Sequence, residues 1–215
     1  MFTGIIQACL PINTIKKVPG LFSFSLILPI DLMTDLKIGA SVSIDGVCLT
    51  VTKIVDREIF FDAMQETLQL TSLGKLEAGQ KVNVERSFLQ GAEVGGHIIS
   101  GHVHGIAKII NIEELENNHV VTFELPEGLS KYVFNKGFIA LDGASLTVVD
   151  PNFSKNTLKV WFIPETLART TFGFKIVGDV VNVEVEQATR VAVDTIERIL
   201  PQYLSDLKEK KHYKK

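Results

Sequence analysis

The chain has 215 residues, of which 46% are hydrophobic and 22% charged. That is room for one large domain or two of about 100 residues, with a core that needs no disulfide or metal staple. The net charge of −3 gives no footing for nucleic acid or a membrane surface as a partner. The two cysteines, Cys9 and Cys48, are too few for a disulfide framework and suit a reducing cytosol, so the expected location is cytoplasmic. No basic stretch precedes an apolar one at the N-terminus, so no signal peptide is expected, and no apolar run reaches membrane-spanning length.

Ser23 to Leu28 alternates polar and apolar residues, the period of a strand. Ile30 to Leu36 reads as a short helix with Asp31 near its start. Ala40 to Ile44, Cys48 to Val55, Ile59 to Ala63 and Lys81 to Glu85 read as further strands, rich in β-branched residues. Asp45-Gly46 marks the turn between the first two of these. Leu68 to Leu73 reads as a second short helix. Paired glycines in Glu93-Val94-Gly95-Gly96-His97 mark a corner, after which the pattern starts again.

The second half rewrites the first. Asp45-Gly46-Val47-Cys48-Leu49-Thr50-Val51 returns 97 residues later as Asp142-Gly143-Ala144-Ser145-Leu146-Thr147-Val148. Gly4 returns as Gly101 and Leu28-Pro29 as Leu125-Pro126 at the same offset. At an offset of 99, Glu66-Thr67-Leu68 returns as Glu165-Thr166-Leu167, and Val82-Asn83-Val84-Glu85 as Val181-Asn182-Val183-Glu184. Two copies of this length make a duplicated domain, not a solenoid. About six short strands per copy suggest a small closed barrel, so the expected fold is all-β: two homologous six-stranded β-barrels and a C-terminal α-helix. In that helix Val193, Ile196, Leu200, Tyr203 and Leu207 form one apolar stripe over Thr189 to Leu207. Pro201 inside the stripe is expected to kink or end the helix. The expected boundaries are 1–96, 97–187, a helix at 188–207 and a solvated Lys-rich tail at 208–215.

Nucleotide-binding loops, a Cys-x-x-Cys pair and a nucleophile elbow are all missing. His102 and His104 share a strand face, a spacing that could serve a metal, but no third ligand follows, so no metal is expected. His119 and His212 read as solvated, and Cys9 as a core thiol. Glu66-Thr67 and Glu165-Thr166 read as helix caps, Asp45 and Asp142 as turn residues. Spacing alone stops at a duplicated β-barrel with two similar pockets. The pockets are unequally equipped. Cys48 stands opposite Ser145, Met64-Gln65 opposite Ile163-Pro164, Phe2-Thr3 opposite Ile99-Ser100, and Ile5 opposite His102. A reaction between two identical molecules in opposite roles requires such a pair of sites.

Met1-Phe2-Thr3-Gly4-Ile5-Ile6, Cys48-Leu49-Thr50-Val51, Gly95-Gly96-His97 with Ser100-Gly101-His102, Ser145-Leu146-Thr147-Val148 and Ile163-Pro164-Glu165-Thr166-Leu167, in this order, resemble the riboflavin synthase alpha chain family over all but the Lys-rich tail. The resemblance implies Greek-key barrels, a homotrimer assembled by the C-terminal helix, and active sites between the N-terminal barrel of one subunit and the C-terminal barrel of another. It implies conversion of two molecules of 6,7-dimethyl-8-ribityllumazine into riboflavin and 5-amino-6-ribitylamino-uracil, without metal or organic cofactor. Whether a lumazine synthase shell encloses the trimer stays open. By matching motifs, the N-terminal pocket is expected to use Gly4, Ile5, Ile6, Ser41, Cys48, Leu49, Thr50, Asp62, Ala63, Met64, Gln65, Glu66 and Thr67. The C-terminal pocket is expected to use Gly101, His102, Val103, Lys136, Ser145, Leu146, Thr147, Phe162, Ile163, Pro164, Glu165, Thr166 and Leu167. The family pattern places Phe2, His97, His102 and Asp142 near the chemistry, with Glu186 where the family often has Asp. His102 is the candidate for proton transfer, since imidazole titrates near neutrality. Cys48, Ser41 or a water supplies or orients the nucleophile. The alternative is a lumazine protein of luminous bacteria, which shares the duplicated barrel, binds one lumazine and catalyses nothing.

Overall fold

The computed structural model describes residues 1–89, 91–116 and 118–212, with side chains as far as residue 205. The expected solvated character of the Lys-rich tail and of His212, and the place of Leu207 in the apolar stripe, lie outside the described residues and side chains.

In the first half β1 (Ala8–Val18), β2 (Leu21–Ile27), β3 (Ser41–Ile44), β4 (Val47–Val55), β5 (Glu58–Met64) and β6 (Lys81–Arg86) close into a barrel in the order β1-β2-β5-β4-β3-β6. Closure depends on β1, which pairs with β6 through Ala8–Pro11 and with β2 from Ile12 to Val18, with an irregularity between Ile12 and Thr14. Such a bulge turns one strand from one sheet into the other. Alternate residues point inward, so Phe24, Leu26, Val42, Ile44, Val51, Ile59, Phe61, Val82 and Val84 fill the interior. The Asp45-Gly46 turn joins β3 to β4 with both residues at positive φ (+46° and +81°), as a tight two-residue hairpin demands. Asp142-Gly143 repeats it at +42° and +79°.

The second half holds β7 (Gly105–Leu115), β8 (Asn118–Glu124), β9 (Phe138–Leu141), β10 (Ala144–Thr147), β11 (Val149–Asn152), β12 (Thr157–Phe162) and β13 (Val180–Val185) in the order β10-β9-β13-β7-β8-β12-β11. This is the same topology with the counterpart of β4 broken in two, so the strand appears at both ends of a curled sheet. Val51 and Val148 both turn their backbone out of register, bonding to Gly39–Ala40 and to Lys136–Gly137. In the second half Asp150 at φ +46° and Pro151, which has no N–H to donate, keep the strand from continuing smoothly.

The short helices differ from expectation. α1 (Ile30–Met33) is half the expected length, and α2 (Gln65–Leu70) starts three residues before Leu68. Thr71 ends α2: its hydroxyl donates to the Thr67 carbonyl (2.6 Å) and accepts the Leu73 N–H (3.3 Å), starting a 3₁₀ turn over Ser72–Lys75. Thr170 does the same after α3 (Pro164–Arg169). Thr67 and Thr166 therefore lie inside their helices. Met64 and Ile163 occupy the cap positions without a side-chain cap bond. Helix α4 (Gln187–His212) passes through Pro201 rather than ending there; one missing N–H is tolerated where good helix formers follow.

The barrels meet about an approximate two-fold axis. Phe2 and Ile99 form an antiparallel bridge, and a Cβ on Gly46 would stand 2.6 Å from the Gly143 nitrogen. Asn83 Nδ2 donates to the Asp142 carbonyl (2.9 Å) and Asn182 Nδ2 to the Asp45 carbonyl (2.8 Å). Their Oδ1 atoms accept the N–H groups of Thr171 and Ser72, again in the opposite barrel.

Candidate active site

Two cavities lie at corresponding places on the two barrels, and each is built from both halves. One, of about 250 Å³, is lined by Val47, Cys48, Glu66, Thr67, Leu70 and Thr71 of the first barrel together with Gly101, His102 and Val103. The other, of about 180 Å³, is lined by Ala144, Ser145, Glu165, Thr166, Arg169 and Thr170 of the second barrel together with Gly4, Ile5 and Ile6. The motif assignment is thereby crossed within this chain. Gly4–Ile6 completes the second barrel's cavity and Gly101–Val103 the first's.

The crossing has a local cause. The segments before β1 and β7 run antiparallel past each other at the Phe2–Ile99 bridge, so each reaches the other barrel. There the Cys48 N–H donates to the Gly101 carbonyl and the Ser145 N–H to the Gly4 carbonyl, both at 2.9 Å. Gly4 (φ +76°) and Gly101 (φ +82°) have no room for a side chain: a Cβ would stand 2.5 Å from the Cβ of Ser145 or Cys48.

Register places several expected residues on the outer wall beside these cavities. Ser41 pairs with Thr50 on the face that also carries Cys48. Asp62 and Met64 are exposed on β5, where Asp62 accepts the Ser23 hydroxyl at 2.6 Å. Leu49 and Ala63 point inward, and Gln65 opens α2. On the second barrel Thr147 shares the face of Ser145 and Ile163 and Pro164 are exposed at the start of α3, while Leu146 and Phe162 are buried and Leu167 packs on the core. Lys136 is exposed at φ +65° and lines neither cavity. Phe2 is fully buried with Ile99 and Ala140, against Cys48.

His97 joins the second site. Its Nδ1 lies 2.6 Å from Ser145 Oγ and its ring stacks on Phe138 with centroids 5.1 Å apart. Burial pushes its pKa down, partly opposed by the nearby Glu186 carboxylate, which also accepts the Thr189 hydroxyl. A neutral ring there can accept the Ser145 proton. His102 is exposed at the first site, its N–H held by Ser100 Oγ at 3.2 Å. His104 faces elsewhere: its Nδ1 accepts the Val185 N–H at 3.1 Å. Among the described residues no three metal-ligating side chains converge. Asp142 is 1% exposed on the two-fold axis, where it accepts the Asn182 N–H and pairs with Lys175 at 2.9 Å, outside both cavities. His119 is half-buried against Phe162 rather than solvated, and Cys9 is half-buried on β1.

Residue types and spacing did not reveal Arg169, which pairs with Glu165 at the mouth of the second cavity, where the first has Leu70. They also gave no role to Glu85 and Glu184, although both stand in the repeated Val-Asn-Val-Glu motif.

The lumazine binding domain model matches residues 3–87 and again 100–186. This chain belongs to the lumazine-binding domain family. Members similar to it include the riboflavin synthases of Buchnera aphidicola subsp. Schizaphis graminum (42% identical, covering 96% of this chain and 99% of the relative), Escherichia coli strain K12 (43%, 93% of each) and Chlamydia pneumoniae (42%, 93% and 97%). Among solved structures, LumP complexed with riboflavin superposes with a TM-score of 0.79 at 28% identity, over 87% of this chain and all of LumP. LumP complexed with 6,7-dimethyl-8-(1'-D-ribityl) lumazine gives 0.77 at 25%, over 86% and 99%.

Proposed function

We propose that this chain is a riboflavin synthase, a transferase that moves a four-carbon unit between two molecules of 6,7-dimethyl-8-ribityllumazine. The observation that carries the reading is the pair of related but unequal cavities, one with Cys48, Glu66 and His102, the other with Glu165 and with Ser145, which His97 backs. A dismutation needs one lumazine as donor and one as acceptor. The atoms of the two account for both products, so the net reaction calls for no oxidant or carrier. Relatives named riboflavin synthase that are 42–43% identical and align over 93–99% of their own length support it further.

One lumazine must lose a proton from its 7-methyl group, and the other must accept a nucleophile before giving up its four carbons. His102 is the candidate for proton transfer, exposed beside Cys48. Cys48, Ser41 or a water they orient is the candidate nucleophile. Holding two rings in reactive register supplies roughly 7–11 kcal/mol in favourable cases, so much of the rate comes from position.

The active form is a cytoplasmic homotrimer. Each cavity in one chain is small, about 250 and 180 Å³, which supports completion of the site by a second chain. Helix α4 supplies the contact: Ile196, Ile199, Leu200 and Tyr203 are 46–59% exposed along it. Val193 packs on the second barrel, and Tyr132 bonds Asp194 to fix the helix in place. Lumazine synthase is a candidate partner of the trimer. Incubating the protein with the lumazine tests the activity: riboflavin absorbance should appear. Bound but unconverted lumazine would favour a LumP-like binding protein.

A further inference from the structure

The repeated Val-Asn-Val-Glu motif lines neither cavity, yet its two glutamates reach the segments that complete them. Glu85 on β6 is 2% exposed and Glu184 on β13 is 5% exposed. One oxygen of Glu85 accepts the Thr3 N–H (2.7 Å) and hydroxyl (2.8 Å), the other the Gly4 N–H (3.0 Å). Glu184 accepts the Ser100 N–H and hydroxyl (2.7 Å each) and the Gly101 N–H (2.9 Å).

A carboxylate is acceptor-only on both oxygens, so it alone matches two successive N–H groups and a hydroxyl. A carboxamide would turn an NH₂ toward one of those donors. From each carboxylate the bonds continue outward. Ser100 Oγ accepts the His102 N–H, and the Gly101 carbonyl accepts the Cys48 N–H. Thr3 Oγ1 accepts the Ile5 N–H at 3.4 Å, and the Gly4 carbonyl accepts the Ser145 N–H. Each chain of bonds starts on a strand of one barrel and ends on the cavity wall of the other.

We propose that Glu184 is the positioning residue of the Cys48–His102 cavity and Glu85 that of the Ser145–Thr166 cavity, each acting on the barrel to which it does not belong. A glutamate that only stabilised its own barrel would have no such crossed effect. The consequence for turnover rests on the riboflavin synthase reading; the positioning itself does not.

The test reads the thiol of Cys48, against which Gly101 packs. In a Cys9→Ser background, the rate of Cys48 with 5,5′-dithiobis(2-nitrobenzoate) should rise roughly tenfold in Glu184→Gln, as expected for loss of a charge-assisted hydrogen bond. It should stay within about twofold of the parent in Glu85→Gln, whose bonds lead to the other cavity. Ser100→Ala, which deletes one hydroxyl and keeps both N–H bonds, should raise the rate by a smaller factor and decides the matter if Glu184→Gln does not fold. Equal rates in folded Glu184→Gln and Glu85→Gln, or an unchanged rate in Ser100→Ala, would overturn the proposal. With the lumazine, Glu184→Gln should lose kcat more than it raises KM. The crossed thiol pattern in a protein that makes no riboflavin would sink the functional reading and leave the positioning intact.

Discussion

Asp45 and Asp142 meet on the two-fold axis with one lysine between them. Burial, and then the charge of Asp142, push the Asp45 carboxyl well above the usual carboxylate range. Burial works against the Lys175 ammonium, but Asp142 and Asp45 hold its pKa above the ordinary value. Because the folded-state pKa of Asp45 is raised, the protonated form favours folding, and that contribution is lost as pH climbs from the unfolded value of about 3.9 through the folded one. Asp45→Asn keeps the acceptor for the Asn83 N–H and tolerates positive φ. It should therefore raise the melting temperature at pH 7 and flatten the decline above pH 4. Asp142→Asn should instead lower the melting temperature at pH 7, costing about 3–5 kcal/mol by stranding the buried Lys175 ammonium it pairs with; denaturant unfolding of both variants at pH 7 checks the contrast. His102→Gln should lower turnover by about 10²-fold or more, with little change in riboflavin affinity, as for a group that moves a proton in the transition state. An equal loss in affinity would make His102 a binding residue only. The turn character of Asp45 and Asp142 was legible in the sequence because Asp-Gly favours positive φ. Their burial against Lys175 was not, because Lys175 has Leu76 as its counterpart and so falls outside the repeat.

At the level of elements, the two halves end their last strands differently. Arg86 on β6 donates its N–H to the Gln7 side chain at 2.7 Å, and Val185 on β13 donates to His104 Nδ1. Burial, Arg190 and His102 push the His104 pKa down to about 4. With the folded pKa lowered, its contribution to stability is full above about pH 6.5 and is lost as pH falls toward 4. His104→Gln should copy the first half and lose this acid sensitivity, so its stability at pH 4.5 relative to pH 7 should exceed that of the parent. Strands β2 to β6 could be read from alternation and β-branched residues. β1 could not, because Pro11 and its bulge interrupt the period of two. Pro201 does not end the helix, since its intrinsic cost did not outweigh the flanking helix. Replacing Ile196 and Leu200 by Glu should leave folded barrels that sediment as monomers; a trimer surviving both changes would place assembly in barrel contacts.

For the molecule as a whole, the duplication was plain in the sequence, but the exchange of leading segments was not. A repeat shows that Gly4 and Gly101 are equivalent; it cannot show which barrel each one completes. The exchange bears on the isolated first half, residues 1 to about 97. Lacking Gly101–Val103, it should pair with a second copy, each lending Gly4–Ile6 to the other's Cys48 cavity. It should then bind riboflavin but catalyse nothing, which size-exclusion chromatography and fluorescence titration can establish. The central claim is that two unequal cavities hold two lumazines in opposite roles. The most direct measurement is product stoichiometry with the full chain in excess chelator. One riboflavin should form for every two lumazines consumed, with 5-amino-6-ribitylamino-uracil in equal amount. Lumazine that binds and stays unconverted, or turnover that appears only when a metal is restored, would contradict it.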